Sequence, residues 1–421
     1  MSQFVRKSVF YLFVGIFLIS GGAVTFYSLG WRINLKPPAG ESMITKVGAI
    51  SIKSAPQGIT IKINQRIFLD KSGLVQTSTL IPNLLPKIYS VRIEKNGYFS
   101  YDKTIKVEPS MVSKLLKIRL IPENLKPEII ASVKGTSFVD FGDDKFILQK
   151  KEDNIYYLND LKDFKSVFNV TAAYQNKLTA QSEIKRANFV PFNSKQLIID
   201  NGYDIKIMDI QSLTIETIIK KPNIWTVKNS NIYFLKNLTL YSYNLIFKNL
   251  SALTALPKTI SNHNFISIKS SPLNDKIAFL DSNGGLYLFN QNSNDIKEIA
   301  HSAKFFVFSP DDKKIAFLDN DGKIGINFLE ESNADLIKKT GDVSRFNLEN
   351  KEAIKSLDWY ADSCHLFVNF ANEVKFMEID DRSALNVYPI INASQFYYEP
   401  KINIFYFIID GKLKKIDFNN Q

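Results

Sequence analysis

From Glu128 onward, apolar residues come in short runs of β-branched and aromatic side chains, separated by polar turns rich in Pro, Asn and Asp. The pattern pairs two strands around a turn and then starts again. Its clearest copies are Phe305–Asp319 (FFVFSPDDKKIAFLD) and Ile266–Asp281 (ISIKSSPLNDKIAFLD), with fainter ones at Trp359–Phe367, Tyr397–Phe405, Phe189–Ile198, Trp225–Phe234 and Phe138–Leu148. The first core residues of the central strands are Phe146, Leu197, Ile232, Ile277, Ile315, Leu366 and Ile404, spaced by 51, 35, 45, 38, 51 and 38 residues. A unit of this size cannot bury its own faces, but a ring of stacked units can. Four-stranded propeller blades run at roughly 40–50 residues each, so the spacing predicts an all-β propeller over 123–421. It is expected to have seven blades, with six or eight as the alternatives. Helical periodicity is nearly absent here, which argues against a doubly wound fold. Hairpin turns are expected at Asp281–Gly285 and Asp319–Lys323, where Asn and Gly tolerate positive φ.

The final copy holds only Asn403–Asp410 and Lys412–Phe418 after its first strand, one strand short of a blade. The apolar stretch 128–133 (EIIASV) precedes the first full copy and has no partner there. It is expected to complete the last blade and close the ring, removing an exposed sheet edge. Two long intervals hold insertions at Val170–Arg186 and Phe328–Glu352, expected as surface loops and a binding face. The segment Ser309–Phe317 (SPDDKKIAF) resembles the repeats of TolB-type and WD40-like propellers. Those repeats usually read Ser-Pro-Asp-Gly; Asp312 stands at the Gly position here, and Pro272-Leu273-Asn274-Asp275 departs further. The resemblance implies a fold and leaves the ligand open.

Ahead of the repeats, Val9–Trp31 is a run of 23 residues without a charge. That length crosses a ~30 Å hydrocarbon core as a helix. Arg6 and Lys7 precede it, and Tyr27 and Trp31 sit at its far end, where amphipathic aromatics favour the interface. The expected layout is a cytoplasmic tail at 1–8, a single transmembrane helix at 9–31, and the bulk of the chain outside the cytoplasm. The alternative is a cleaved signal peptide with its apolar core at Val9–Ile19 and small residues at Ser20–Ala23. No Cys lies near the segment, which excludes lipoprotein processing. The sole cysteine, Cys364, is compatible with either side of a membrane.

A linker is expected at 32–45, centred on Asn34–Ser42 (NLKPPAGES). Beyond it, 46–122 alternates strands and turns, with strands expected at Ala49–Lys53, Thr60–Ile63, Tyr89–Glu94, Lys103–Val107 and Lys114–Leu120, enough for a small β-sandwich. This stretch resembles the PEGA domain family through Ser54-Ala55-Pro56-Gln57-Gly58, the following Ile59–Ile63, Leu84-Leu85-Pro86-Lys87-Ile88-Tyr89-Ser90-Val91, and Lys95-Asn96-Gly97-Tyr98. Asn64-Gln65 stands where the family has Asp-Gly, and Pro86-Lys87 where it has Pro-Gly. The resemblance implies a small β-domain of envelope and surface proteins, used for binding or spacing and carrying no catalytic residues. Gly97 is expected to take a backbone angle other residues avoid.

The net charge of +11 is unevenly placed. Residues 1–121 carry 17 Lys/Arg against 5 Asp/Glu, a balance of +12, whereas 122–421 carry 36 against 37, a balance of −1. The bases of the PEGA-like stretch, Lys53, Lys62, Arg66, Lys71, Lys87, Arg92, Lys95, Lys103 and Lys106, are the candidate polyanion-facing set. Anionic headgroups attract such side chains by about 1 kcal/mol each, and acidic wall polymers act through the same long-range attraction. The competing reading is a solvated lysine-rich face.

Signs of catalysis are sparse. The three histidines, His263, His301 and His365, lack a partner at metal-ligand spacing and read as packing or surface residues. No Gly-x-Ser-x-Gly elbow or phosphate loop occurs. Asp319-Asn320-Asp321-Gly322 reads as a hairpin turn rather than a calcium loop. Cys364 and His365 are adjacent on a strand, so their side chains point apart. The abundant phenylalanines, 32 in all, fit inter-blade packing better than base stacking, which disfavours nucleic acid as a partner. No catalytic, metal or cofactor residue is assigned. The sequence reads as a membrane-anchored, non-enzymatic binding or scaffold protein of the cell envelope, meeting another envelope protein or an acidic wall polymer. A receptor working through a partner membrane protein, and an envelope carbohydrate- or peptide-processing enzyme, are the alternatives. The sequence leaves open the oligomeric state, the binding face and the ligand.

Overall fold

The structure, a computed structural model, describes residues 3–33, 35, 42–73, 76–132, 137–142, 146–150, 155–160, 166–177, 183–191, 193–273, 275–333, 335–348, 353–393 and 396–419. Two compact units emerge. The first contains Met1–Asn124 together with Ser332–Ile337 and Asp380–Asn386; the second holds the remaining residues.

In the second unit, the described residues form seven four-stranded antiparallel sheets, a β-propeller. Sheet one comprises Ser137–Gly142, Phe146–Lys150, Tyr156–Asp160 and Ser166–Asn169, and sheet two Arg186–Val190, Asn193–Asp200, Asp204–Asp209 and Ile215–Lys220. Sheet three is Ile224–Lys228, Asn231–Lys236, Thr239–Asn244 and Asn249–Ala255; sheet four is Phe265–Ser270, Lys276–Asp281, Leu286–Asn290 and Asp295–Ala300. Sheet five is Ala303–Phe308, Lys314–Asp319, Ile324–Phe328 and Val343–Phe346; sheet six is Ser356–Trp359, His365–Asn369, Val374–Glu378 and Val387–Ile391. Sheet seven takes Phe396–Glu399, Ile404–Ile409 and Lys412–Asp417 from the chain's end, and its fourth strand is Glu128–Ser132. That strand runs antiparallel to Lys412–Asp417, with Glu128 opposite Lys415 and Ser132 opposite Lys412.

The central strands explain why the sheets stack. Lys276–Asp281 is buried at every position. Successive side chains point to opposite faces, so Ile277 and Phe279 pack with Tyr233 and Leu235 of sheet three, while Ala278 and Leu280 pack with Phe306, Ile315 and Phe317 of sheet five. Sheets six and seven meet through Phe367, whose ring lies 4.9 Å from Tyr398 and 5.0 Å from Phe405. Each fully buried Phe contributes about 2 kcal/mol from area alone. Both faces of a central strand must therefore be apolar, and the sequence reads as continuous runs rather than alternation.

The first unit begins with helix Gln3–Ser28, whose Arg6–Ser28 stretch of 23 residues is long and apolar enough to cross a membrane. The expected linker begins and ends in a two-stranded ladder, Trp31–Ile33 with Ile44–Lys46, because both ends carry β-branched or aromatic residues. Asn34–Ser42 itself lies almost wholly outside the described residues. Next comes a sandwich. One sheet orders Thr79–Leu84, Gly48–Ala55 and Val112–Arg119; the other orders Arg66–Leu69, Thr60–Ile63, Ile88–Glu94 and Tyr101–Lys106. Between them lie Ile50, Ile52, Ile61, Ile63, Val91, Ile93, Ile105 and Leu115. Gly97 has φ +79°, in the region glycine tolerates best. Two strands were hidden in the sequence. Arg66–Leu69 follows the glycine-free turn Asn64-Gln65, where Asn64 takes φ +52°. Thr79–Leu84 contains Pro82, which an edge strand tolerates.

The sandwich departs from the expected layout in one respect. Ser332–Ile337 lies inside the insertion expected as a free surface loop, yet it and Asp380–Asn386 belong to this unit. The reason is hydrogen bonding at bare sheet edges. Tyr101–Lys106 and Val112–Arg119 are edge strands. Asn386 donates to the Asp102 carbonyl at 2.9 Å and accepts the Asp102 N–H at 3.1 Å, and Ser383 Oγ accepts the Thr104 N–H at 3.0 Å. On the other edge, Asp335 accepts the Leu116 N–H at 2.9 Å and Arg382 donates to the Lys114 carbonyl at 3.0 Å. Side chains thus satisfy backbone groups that would otherwise template another strand.

Candidate functional site

The nine bases singled out from the sequence do not all stand free on the surface. Lys62 and Arg92 both pair with Glu94, at 2.6 and 2.8 Å, and Arg92 also approaches Asp102 at 3.7 Å. The paired cations hold the Glu94 carboxyl below its ordinary range, through the Lys62 hydrogen bond first. Lys106 pairs with Glu108 at 3.1 Å, and Lys95 donates to the Gln57 carbonyl at 2.6 Å. Lys53, Arg66, Lys71 and Lys87 are exposed. Exposed ion pairs stabilise little, but they do neutralise part of the charge that the sequence tally counts as free.

Lys103 corrects the polyanion-facing set outright. Its side chain is fully buried, and it donates to the carbonyls of Asp380 at 2.7 Å and Ala384 at 3.3 Å. Tyr101–Lys106 alternates buried and exposed positions, which places Lys103 on the inward side with Tyr101 and Ile105. That alternation was the available signal. Lys103→Ala leaves both carbonyls without a donor and is expected to cost about 2 kcal/mol, whereas Lys53→Ala should stay within about 0.5 kcal/mol. Thermal unfolding of the two variants checks this.

The second unit holds a cluster that the sequence did not reveal. In each sheet the first strand is an edge, and first strands pack on first strands: sheet one on two, three on four, four on five, five on six. Basic and indole groups bridge them through edge carbonyls. Arg186 donates to the Trp225 carbonyl at 3.2 Å, Lys269 to that of Phe306 at 2.8 Å, and Trp359 Nε1 to that of Val307 at 3.2 Å. Other charges are felt across the ring rather than around it. Asp358 of sheet six senses Lys269 of sheet four and Glu399 of sheet seven. Lys269 also senses Arg186 of sheet two. Lys228 of sheet three senses Lys401 and Glu399 of sheet seven, and Asp312 of sheet five. Groups from sheets that are not neighbours can share one field only if they converge on the axis.

Enclosure sets the character of these groups. Asp358 is half-buried on the first strand of sheet six. That burial pushes its carboxyl up to about 7. Among the described residues it accepts only the Trp359 N–H, at 2.8 Å. Burial lowers Lys269 and Lys228 below the usual lysine range, and Lys401 adds to the effect at Lys228. Lys228 makes no hydrogen bond or ion pair among the described residues. Glu399 accepts from the Tyr397 hydroxyl at 2.9 Å and the Lys401 N–H at 3.2 Å. A cluster of such perturbed groups marks a candidate binding site. This one offers cations and anions together, so it suits a ligand that presents both an acidic group and hydrogen-bond donors.

Beside this axis lies a buried ion cluster joining sheets four and five. Lys276 donates to Asp275 at 3.0 Å, Asp312 at 3.1 Å and Glu330 at 3.4 Å. Asp312, at the position where related repeats carry Gly, keeps the left-handed φ of +64°. Burial and the neighbouring Asp275 raise its carboxyl to about 6.

The histidines serve turns and packing. His263 Nδ1 lies 2.5 Å from Asp281, which also accepts the N–H groups of Asn283 and Gly285, both at 2.8 Å, in the hairpin turn. Burial works against ionisation of Asp281, but the Gly285 and His263 contacts outweigh it and lower its pKa. His365 contacts Asp362 at 2.8 Å and stacks on Phe376; His301 is exposed beside Glu298. Among the described residues no group of three or more His, Cys, Asp or Glu is placed to hold a metal ion. The Val170–Arg186 insertion contains helix Val170–Asn176, N-capped by Asn169, and a cleft of about 350 Å³ lined by Thr171, Gln175 and Glu183 among others.

Residues 47–121 match the family model described as PEGA domain. The sandwich is therefore a PEGA domain. Among solved structures, the β-propeller domain of Myceliophteria thermophila Cps50 (Swd1) is similar to this chain at 12% identity, covering 70% of this chain and 99% of that one, with a TM-score of 0.48. None of the curated proteins compared with the chain matches it. A PEGA domain and a β-propeller together support a binding or scaffold role.

Proposed function

We propose that the chain is a single-pass membrane protein of the cell envelope whose propeller binds a partner at its axis and does no chemistry on it. Arg6–Ser28 is the anchor, the PEGA domain is the membrane-proximal spacer, and 125 onward lies outside the cytoplasm. The observation that carries the reading is that Lys228 and Lys269 of sheets three and four share a field with Asp358, Glu399 and Lys401 of sheets six and seven, across the ring. Packing alone gives no reason to bring charges together there, because burial penalises Lys228, Lys269 and Asp358. A partner with its own charges compensates them. The partner is another envelope protein or an acidic wall polymer; the mixed signs favour a protein, since Glu399 and Asp358 repel a purely anionic chain.

Alkaline carbonate washing is expected to leave the protein in the membrane fraction, and protease added to intact protoplasts should digest it. Release by carbonate, or full protection from protease, would contradict the anchor and its orientation.

A further inference from the structure

The point where the apolar helix meets the PEGA domain is built, not tethered. After Ser28 the chain turns at Gly30, φ +82°, and enters the Trp31–Ile33 strand. Val47 N–H donates to the Gly30 carbonyl at 2.9 Å, and Ser110 N–H to the Val47 carbonyl at 3.0 Å. Arg32 donates to the Tyr27 carbonyl at the helix end at 2.8 Å and to Asn83 Oδ1 at 2.5 Å. Its guanidinium lies 3.4 Å from the Tyr27 ring centroid. Phe26 stacks on Trp31 at 5.9 Å, and Lys46 Nζ lies 5.0 Å from the Trp31 ring. The hydrogen bonds therefore run from the helix through the ladder into the sandwich.

Around this junction several large apolar side chains are exposed together. Leu29 is 62% exposed, Ile33 62%, Met43 54%, Ile44 48% and Met111 52%. Ile33 and Ile44 are ladder partners, and Met111 follows Ser110, which is bonded to Val47. They form one patch around the helix end, set with Trp31, Arg32 and Lys46. In water such a patch is costly at about 25 cal/mol per Å². Apolar side chains mixed with Trp, Arg and Lys match the boundary between headgroups and acyl chains. The patch adjoins a helix that is itself apolar over 23 residues, which selects lipid over a protein partner.

We propose that the PEGA domain stands end-on in the membrane interface, with Ile33, Met43, Ile44 and Met111 inserted at the headgroup–acyl boundary. This rests on the reading of Arg6–Ser28 as a membrane span. The domain is then oriented by the bilayer instead of swinging on a linker, and its far end is held away from the surface. Strand Gly48–Ala55 has 8 residues, so Gln57 and the nearby Asn96 turn lie about 25 Å from the junction.

The test uses the full chain in vesicles of zwitterionic and anionic lipid, with Cys364→Ser and one new cysteine at a time: Ile16→Cys, Ile44→Cys, Met111→Cys or Asn96→Cys. Each is labelled with an environment-sensitive fluorophore and challenged with lipids carrying a nitroxide near the headgroup or deep in the acyl chain. The shallow nitroxide is expected to quench the labels at 44 and 111 by roughly twofold and to leave 96 unaffected; the deep one should quench 16. If 16 is quenched and 44 and 111 stay in water, the interface proposal fails while the membrane span stands. If 16 is not quenched, the span fails and the proposal with it. Quenching at 96 equal to that at 44 would overturn the end-on orientation.

Discussion

Replacing Glu128–Ser132 with a Gly-Ser segment of equal length is expected to lower the melting temperature of the propeller by roughly 10 °C. Three losses combine. The ladder with Lys412–Asp417 disappears, and each of its hydrogen bonds contributes about 1 kcal/mol net. Leu413, fully buried, and Ile130, packed against it, lose their cover, at about 2 kcal/mol for a large aliphatic side chain. Lys412–Asp417 also becomes a bare edge, so aggregation should accompany unfolding. The exposed pair between Lys415 and Glu128 at 3.1 Å is a minor part. Calorimetry on both chains measures the difference. Equal melting temperatures would mean that the ring holds without its closing strand.

The second large effect concerns pH. Asp358 titrates near 7 in the folded chain, against an ordinary value of 3.8. A carboxyl raised in this way keeps a proton that the unfolded chain has already released. Stability is therefore lost as pH rises from about 4 to about 7, at up to about 1.4 kcal/mol per pH unit. Asp358→Asn removes the titration while keeping size and polarity. The variant should match the wild type in acid, gain on it between about pH 4 and 7, and stay about 2 kcal/mol or more ahead at pH 8. Chemical denaturation across that range reads the difference directly. Parallel pH profiles would show that Asp358 is solvated and that the axis is not the enclosed site described above.

The fold was legible wherever a strand is apolar on both sides. Lys314–Asp319 and Lys276–Asp281 stand out because a central blade strand must satisfy two neighbours at once. The closing strand was legible for a related reason: an apolar run, Glu128–Ser132, without a local partner must find a distant one. Short or proline-containing edge strands such as Arg66–Leu69 and Thr79–Leu84 carry no such demand, and they escaped. The candidate site was harder. Lys228, Lys269, Asp358 and Glu399 lie far apart along the chain, and only ring closure brings them together. In sequence each is one charge among many on a first strand. The excess of bases in the PEGA domain was legible as a number, but pairing with Glu94, Asp102 and Glu108, and the burial of Lys103, are decided by register. Likewise nothing in Ser332–Ile337 or Asp380–Asn386 announces that Asp335, Arg382 and Asn386 cap the edges of a sandwich formed by residues more than two hundred positions earlier.

The most direct test of the central claim, that the propeller axis binds a partner, is capture from detergent-solubilised membranes by the tagged wild-type chain, by Lys228→Glu with Lys401→Glu, and by Lys206→Glu with Lys221→Glu as an off-axis control of equal charge. Mass spectrometry identifies what is retained, and melting temperatures establish that all three chains are folded. The wild type and the control are expected to retain the same partner, and the axial variant to lose it by tenfold or more, about 1.4 kcal/mol or greater. Undiminished capture by the folded axial variant would contradict the claim.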